Sequence, residues 1–484
     1  MSYNRRSMET GRHAEIDIRA EPAILVGVRL RDDDGGLDES LIELKALAET
    51  AGVRVVGTLE QRRVAPRGKT YIGKGKVEEL AAMCKELGAK VVIFDNELAP
   101  SQIQELEKEL AVKVIDRSEV ILDIFANRAT TKQAQLQVEI AQLEYTAPRL
   151  RAMWSHLGQV TGGAPVGVGT RGPGEQQLEI DRRIVKAKLD KLRRELGEIE
   201  ARRTREVRQR REEHFTAALV GYTNAGKSSL FNRLTRGGAY AADKLFATLG
   251  TRVEQWNLGG GNAAMLSDTV GFVQRLPHHL VASFRATLED AIASHVILIV
   301  LDVADRSALM QYETVENVLD EIGATDQPRL LLLNKADRLP ETWVPVDGVD
   351  RRLELWMERV PDAMPISALT GQGLEELSAK VLSLMKGDVR ECTLSIALSD
   401  GRTVDFLEKR VPVLDRNWTA DGRVELRVEV GRRQLEQLLS GGARMLIDGL
   451  PAHEGLRALW PDRVVSTRQR TRPHDSYAVG RDEE

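Results

Sequence analysis

The sequence predicts an α/β protein with four domains: an N-terminal parallel α/β domain, a long antiparallel helical hairpin with a glycine-rich tip, a P-loop domain, and a small mixed α+β C-terminal domain. Two observations carry this prediction. Strand and helix patterns alternate before residue 129 and again after residue 213, which is typical of parallel sheets covered by helices. Between these stretches lie two long helical patterns separated by a run of glycines.

The first 20 residues are polar and are predicted to be a disordered tail. Residues 21–128 form the first domain, with expected strands at 23–30, 53–59, 90–94 and 112–115 and expected helices at 37–51, 76–87, 101–110 and 119–125. A basic, glycine-containing loop at 66–76 separates the second strand from the second helix. This loop either binds phosphate or RNA, or it is a linker whose glycines make the turn into the helix.

Residues 129–213 are predicted to form an antiparallel hairpin of two helices. Apolar residues recur there with alternating spacings of four and three, at Leu136, Ile140, Leu143, Ala147, Leu150, Trp154 and Leu157 and again at Val185, Leu189, Leu192, Leu196 and Ile199. Pro148 is expected to kink or interrupt the first helix. The connecting loop, 158–174, has 7 glycines in 17 residues. This length is much greater than a helix–helix turn needs.

The second helix of this hairpin is strongly basic. Residues 181–211 contain 13 Lys or Arg and 6 Asp or Glu, a net charge of +7 in a chain whose total is −4. The pattern fits either a solvated helix face or an RNA-binding surface, and the concentration of charge favours RNA. The candidate RNA-facing residues are Arg171 in the loop and Arg193, Arg194, Arg202 and Arg203 in the helix.

A phosphate-binding loop follows the hairpin. An apolar run at 215–220 leads into the pattern G-x-x-x-x-G-K-S and then into a helical pattern at 228–234, which is the context of a P-loop. Lys227 would reach the β- and γ-phosphates, and the Ser228 hydroxyl would bind Mg²⁺. The predicted nucleotide contacts in this loop are Gly221, Tyr222, Thr223, Asn224, Ala225, Gly226, Lys227 and Ser228.

Two further motifs identify the nucleotide. D-x-x-G at 268–271 places Asp268 in the Mg²⁺ shell and the Gly271 N–H at the γ-phosphate. N-K-x-D at 334–337 supplies the carboxylate of Asp337, which can accept both N–H donors of guanine, a pair that adenine lacks. The three motifs together predict a P-loop GTPase domain at 214–387. The remaining predicted GTP contacts are Thr269, Val270, Asn334, Lys335 and Ala336, with Ser367, Ala368 and Leu369 as a weaker fifth motif.

The first switch is expected at 241–251. Thr248 is the preferred residue for completing the Mg²⁺ shell and reporting the γ-phosphate, and Thr251 is the alternative. Its other predicted GTP contacts are Phe246, Ala247, Leu249 and Gly250. The predicted catalytic residues are therefore Lys227, Thr248 and Gly271, and the predicted metal ligands are Ser228, Thr248 and Asp268.

Position 272 differs from the Ras-like pattern, in which a glutamine orients the attacking water. Phe272 cannot hydrogen-bond to water. The sequence therefore predicts slow hydrolysis that a partner, the backbone or a water network must assist. Alternatively, Phe272 only packs and another residue of the chain assists, such as Arg252 or Arg275.

Residues 388–463 are predicted to be a small C-terminal domain, with strands at 392–398 and 424–430, a turn at Asp400-Gly401 and a helix at 434–439, and residues 464–484 a disordered tail. The chain has 42% hydrophobic and 29% charged residues, and its two cysteines lie far apart. This composition argues against a disulfide framework. The sequence offers neither an apolar membrane span nor a signal peptide, so we expect a cytoplasmic protein.

The motifs occur in an order that resembles one family. Seven segments follow one another between residues 22 and 387: IGKGKVEEL, DRSEVILDIFANRATTKQAQLQVEIAQL, GTRGPGEQQLEIDRR, GYTNAGKSSL, FATL, DTVGF and NKAD. The series is similar to the HflX family of translational GTPases, close to the Obg and Era types. One difference is that FATL is followed by Gly250-Thr251-Arg252, whereas the family pattern has Asp-Pro-Thr, which leaves the path of the first switch open.

The resemblance implies Mg²⁺-dependent GTP hydrolysis stimulated by the ribosome, binding to the large ribosomal subunit and its rRNA, and the splitting or rescue of stalled ribosomes under stress. It also implies that the glycine-rich loop reaches toward the peptidyl-transferase region. We expect a monomer with no DNA partner. Two alternatives remain: an RNA-binding module in which very slow turnover makes the GTPase domain a nucleotide sensor, and a metabolic P-loop kinase, which the guanine-selecting motif disfavours.

Overall fold

The computed structural model describes residues 21–30, 37–160, 173–235, 251–273, 288–339 and 351–461, with the side chains of 37–39, 148–160 and 173–182 excepted. The chain divides into two compact units. One contains residues 1–257 and 263–378, and the other contains 258–262 and 379–484.

The first unit begins with a four-stranded parallel sheet in the order β2-β1-β3-β4. Its strands are β1 (Pro22–Arg29), β2 (Arg54–Arg62), β3 (Val91–Phe94) and β4 (Lys113–Asp116), and its helices are α1 (Leu37–Ala51), α2 (Lys74–Leu87), α3 (Pro100–Leu110) and α4 (Arg117–Arg128). The middle of β1 is buried on both faces, because helices pack on each side of the sheet. The predicted alternation of strands and helices is therefore confirmed.

The helical hairpin consists of α5 (Lys132–Val160) and α6 (Pro173–Glu213). Apolar residues of the two helices form one cluster centred on Leu136, Ile140 and Leu192, as the spacing predicted. Of the two effects expected of Pro148, a kink or an interruption, the interruption is wrong, because α5 continues through that position. Both helices extend into the predicted loop: α5 includes residues 158–160 and α6 includes residues 173–174.

The nucleotide-binding part of the first unit is a six-stranded sheet in the order β10-β9-β8-β5-β7-β6. The pairs β5–β7, β5–β8, β8–β9 and β9–β10 are parallel. Its elements are β5 (Thr216–Gly221), α7 (Lys227–Thr235), β6 (Arg252–Gly259), β7 (Asn262–Asp268), α8 (Glu289–Ile292), β8 (Val296–Asp302), α9 (Ala308–Glu321), β9 (Arg329–Asn334), α10 (Arg351–Arg359), β10 (Met364–Pro365) and α11 (Leu374–Lys386).

The second unit contains an antiparallel sheet in the order β12-β13-β11-β14-β15. Its elements are β11 (Val389–Ala397), α12 (Gly401–Arg410), β12 (Val413–Trp418), β13 (Arg423–Gly431), α13 (Arg432–Ser440), β14 (Met445–Ile447), β15 (Leu450–Pro451) and α14 (Ala452–Leu459). The predicted turn at Asp400-Gly401 is wrong, because α12 begins at Gly401 and Asp400 directly precedes it. The Asp400 carboxylate accepts a 3.3 Å hydrogen bond from the Thr403 N–H, which is an N-cap.

Among the described residues, no helix has the length and apolar character needed to span a membrane.

Candidate guanine-nucleotide site

The predicted nucleotide motifs lie at one edge of the six-stranded sheet. The P-loop follows β5, Asp268 ends β7, Asn334 ends β9, and Ser367 comes two residues after β10. Because these strands are parallel, their carboxyl ends meet at the same edge, where open α/β sheets bind their ligands. Topology alone therefore brings together motifs that are more than 100 residues apart in sequence.

Lys227 is held under the P-loop. Its Nζ donates hydrogen bonds to the carbonyl oxygens of Gly221 (3.0 Å) and Tyr222 (2.8 Å), and the residue is 6% exposed. Burial lowers the pKa of the Lys227 amine from 10.5 to about 8, while the nearby Asp268 carboxylate acts in the opposite direction. An anion here would favour the charged amine, as expected of a phosphate ligand.

The two predicted metal ligands that the structure describes are neighbours. The Ser228 Oγ donates a 2.8 Å hydrogen bond to the Asp268 carboxylate, which is 1% exposed. A hydroxyl beside a carboxylate is a donor set that suits Mg²⁺. The third predicted ligand, Thr248, lies outside the described residues, as do Phe246, Ala247, Leu249 and Gly250 of the predicted first switch.

The side chain of Asn334 joins three of the motifs. Its Nδ2 donates to the Ala225 carbonyl at 2.7 Å, and its Oδ1 accepts from the Ala368 N–H at 3.0 Å. Lys335 donates to the Asn224 carbonyl at 2.8 Å and pairs with Asp302 at 2.7 Å. These contacts fix the position of the N-K-x-D segment against the P-loop, while Asp337 remains exposed in a 3-10 turn at Ala336–Arg338.

Phe272 packs inside the protein. It is 4% exposed and lies in an apolar cluster with Tyr222 and Leu288. Its backbone extends the β5–β7 pairing, since its N–H donates to the Gly221 carbonyl (3.1 Å) and its carbonyl accepts from the Thr223 N–H (2.7 Å). Of the two predicted explanations for this residue, the packing role matches its position.

The P-loop also contacts the N-terminal sheet domain, a link that no sequence motif indicated. The Tyr222 hydroxyl donates a 2.6 Å hydrogen bond to Glu43 on α1. Glu43 pairs with the buried Arg117, which also pairs with Asp95, each at 2.7 Å. Burial lowers the pKa of the Arg117 guanidinium, but these two carboxylates outweigh it and raise the pKa overall. A charged network therefore extends from the P-loop into the first domain.

The basic helix makes a second link of this kind. Arg203 on α6 donates hydrogen bonds to Gln133 (2.9 Å), Thr251 (2.5 Å) and Asp290 (2.7 Å). Arg210 donates to the other oxygen of Asp290 at 2.9 Å. The structure therefore turns Arg203 inward, which corrects its assignment as an RNA-facing residue.

The other RNA-facing candidates differ from Arg203. Arg193, Arg194 and Arg202 are exposed, with Arg193 paired to Glu144 at 2.6 Å and Arg202 paired to Glu206 at 3.0 Å. Arg171 lies outside the described residues. Helical spacing could have separated Arg203 from the exposed arginines. Arg203 and Arg210 are seven residues apart and so share one face of α6.

Comparisons with known proteins cover most of the chain. Family descriptions match in series: GTP-binding GTPase N-terminal at 38–126, GTP-binding GTPase Middle Region at 128–210, 50S ribosome-binding GTPase at 216–335 and HflX C-terminal domain at 353–443. GTPase HflX of Escherichia coli K12 is 38% identical, over 85% of this chain and 93% of that protein. The chain belongs to the HflX family.

The chain is also similar to a second HflX protein and to a solved GTP-binding protein. GTPase HflX of Alkalihalophilus pseudofirmus is 41% identical, over 76% of this chain and 83% of that protein. A crystal structure of a GTP-binding protein from Sulfolobus solfataricus in complex with GDP is 25% identical, covers 75% of this chain and 98% of that one, and has a TM-score of 0.40. As an HflX protein with a GTPase domain of the ribosome-binding type, the chain is a GTP-hydrolysing enzyme.

Proposed function

We propose that this HflX protein is an Mg²⁺-dependent GTP switch that binds the large ribosomal subunit and splits or rescues stalled ribosomes under stress. The observation that carries the proposal is the hydrogen bond from Arg203 to Thr251, because it joins the basic helix to the last residue of the predicted first switch. A change of nucleotide at the switch would thereby alter the position of the helix, and binding of the helix to RNA would alter the switch.

Mg²⁺ is part of this proposal. Ser228 and Asp268 lie side by side and would hold the ion, with Thr248 as the third ligand. Bound Mg²⁺ supplies charge neutralisation at the β- and γ-phosphate oxygens. The chain's own contribution is to bind the phosphates through the P-loop and Lys227, to place the Gly271 N–H at the γ-phosphate, and to select guanine through Asp337.

The ribosomal contact is proposed to involve the exposed side of α6. Arg193, Arg194 and Arg202 are exposed and therefore accessible to a phosphate backbone. The domain's description as a 50S ribosome-binding GTPase supports the large subunit as the partner. We place the protein in the cytoplasm with the ribosomes, and we retain domain boundaries after residues 128, 213 and 387.

GTP turnover by the purified chain, alone and with large ribosomal subunits, tests the proposal. We expect slow turnover alone and strong stimulation by the subunits. Reversing three charges together, R193E, R194E and R202E, should abolish stimulation and leave turnover without subunits unchanged. As the control, reversal of Arg427, an exposed arginine on β13, should preserve stimulation. Absence of stimulation with intact GTP binding would refute the ribosomal part and leave the GTPase assignment in place.

A second candidate is the nucleotide sensor with very slow turnover, which the inward packing of Phe272 favours. The two candidates differ in what ribosome splitting requires. If a non-hydrolysable GTP analogue supports repeated rounds of splitting as well as GTP does, the sensor is correct. If splitting stops after one round, hydrolysis drives release and the enzymatic switch is correct.

A further inference from the structure

Thr223, the third residue of the P-loop, has a buried hydroxyl with no hydrogen-bond partner among the described residues. The residue is 7% exposed, and its Oγ1 makes no hydrogen bond to any described residue. Buried hydroxyls in folded proteins are nearly always hydrogen-bonded. The missing partner of Thr223 is therefore expected to be a bound molecule.

The surroundings of Thr223 indicate which molecule. A Cβ added at Gly271 would lie 2.8 Å from Thr223 Cγ2 and 2.9 Å from Lys227 Nζ, so the three residues meet at one point. Gly271 and Lys227 are the two residues whose N–H and amine are expected at the γ-phosphate. Thr223 thus borders the γ-phosphate end of the site, beside the N-terminus of α7, where an anion is favoured.

The backbone holds Thr223 in this place. Its N–H donates to the Phe272 carbonyl at 2.7 Å, while the ring of Phe272 is turned into the apolar cluster with Tyr222. Position 272 therefore offers no polar side chain to the γ-phosphate, although Ras-like enzymes use that position to orient water. Among the described residues, the adjacent Thr223 hydroxyl is a polar group that lies close to Gly271 and has no other partner.

We propose that the Thr223 hydroxyl accepts a hydrogen bond from the attacking water and orients it toward the γ-phosphorus. The water oxygen forms the new P–O bond as the bond from the γ-phosphorus to the β–γ bridging oxygen breaks. GDP leaves with the bond's electron pair, and the water's protons pass to the phosphate products. Thr223 is unchanged by the reaction. The proposal rests on the family's GTP hydrolysis and is independent of a ribosomal partner.

Two variants of the full chain separate the hydroxyl from the methyl group. Thr223→Val keeps the shape and removes the hydroxyl, whereas Thr223→Ser keeps the hydroxyl. The assay is single-turnover GTP hydrolysis without ribosomes, so that product release does not limit the rate, together with the affinities for GDP and for a non-hydrolysable GTP analogue.

We expect T223V to hydrolyse GTP at least about tenfold more slowly, in the range seen when one positioning group is removed, with both affinities within about twofold of wild type. T223S should stay within about threefold of the wild-type rate. The proposal is overturned if T223V hydrolyses at the wild-type rate, if T223S is as slow as T223V, or if the loss in T223V is matched by lost GDP affinity. A loss of analogue affinity alone would identify a ligand of the bound γ-phosphate, which also overturns it.

Discussion

The guanidinium of Arg203 donates a 2.7 Å hydrogen bond to the carboxylate of Asp290. Asp290 is 6% exposed and lies on the short helix α8, so this contact fixes the basic helix to the nucleotide-binding sheet. Arg210 occupies the second carboxylate oxygen, and one buried carboxylate therefore joins two turns of α6. The same arginine donates a hydrogen bond to Thr251, so the junction directly connects the hairpin with the end of the predicted first switch.

Removal of Arg203 should loosen this junction. We expect R203A to lower the free energy of unfolding by about 1–2 kcal/mol, because Asp290 loses one of its two described arginine partners and Gln133 loses its donor. Hydrogen exchange should speed up in residues 289–292. The matched control is R202A, whose exposed pair with Glu206 contributes at most about 0.5 kcal/mol. Equal effects of the two variants would show that the junction is not a fixed contact.

Replacement of Asp337 should change the base preference. D337N turns one acceptor into a donor, so one hydrogen bond to guanine is lost and the other loses its charge. We therefore expect the affinity for GDP to fall about a hundredfold and the preference to move toward xanthine nucleotides. Titration with GDP and with xanthosine diphosphate measures the change. Because Asp337 is exposed, thermal stability without nucleotide should not change. An unaltered guanine preference would reject Asp337 as the base-selecting residue.

Much of the fold could be predicted because its signals are local. Buried parallel strands such as β8 are continuous apolar runs, and the P-loop and N-K-x-D segments follow such runs directly. The helical seam of Leu136, Ile140 and Leu192 follows from spacing alone. Asp400 shows where local sequence is not sufficient, since Asp-Gly suits both a turn and a helix N-cap. The packing of α12 against its sheet favours the helix.

The contacts between domains could not be predicted, because they join distant residues. Glu43 and Tyr222 are 179 positions apart, and Arg203 and Asp290 are 87 apart. Helical spacing places Arg202 and Arg203 on different faces of α6, but only the position of Asp290 shows which of the two faces is buried. Phe272 shows the same limit, since its sequence position suggested a missing catalytic group whereas its side chain packs against Tyr222.

Introduction of glutamine at position 272 should not restore Ras-like hydrolysis. The side chain of Phe272 lies in an apolar cluster, so F272Q places an amide where it has no partner and leaves a cavity. We expect a loss of about 3 kcal/mol in the free energy of unfolding and no increase in single-turnover hydrolysis. F272L, which remains apolar, should lose less stability. Faster hydrolysis by F272Q would contradict the packing role.

Removal of the Lys227 charge should change how stability depends on pH. Because the pKa of this amine falls from 10.5 to about 8 in the folded chain, the unfolded chain binds more protons between these values. The free energy of unfolding therefore rises with pH across this window, and the full penalty for burying the charge applies below pH 8.

The nucleotide-free K227M variant lacks this penalty. The difference in the free energy of unfolding between K227M and wild type should therefore be up to about 3 kcal/mol more favourable to K227M at pH 7 than at pH 10. Urea unfolding at the two pH values measures this difference. Loss of the hydrogen bonds to Gly221 and Tyr222 adds an offset that is the same at every pH, so the change with pH is diagnostic. K191M, at an exposed lysine, is the control and should show no such change. A stability difference between K227M and wild type that stays constant from pH 7 to 10 would mean that Lys227 keeps an ordinary pKa in the folded chain.

In wild type, phosphate binding restores the charged amine, so GDP binding near pH 8.5 should be accompanied by proton uptake, which calorimetry in two buffers detects.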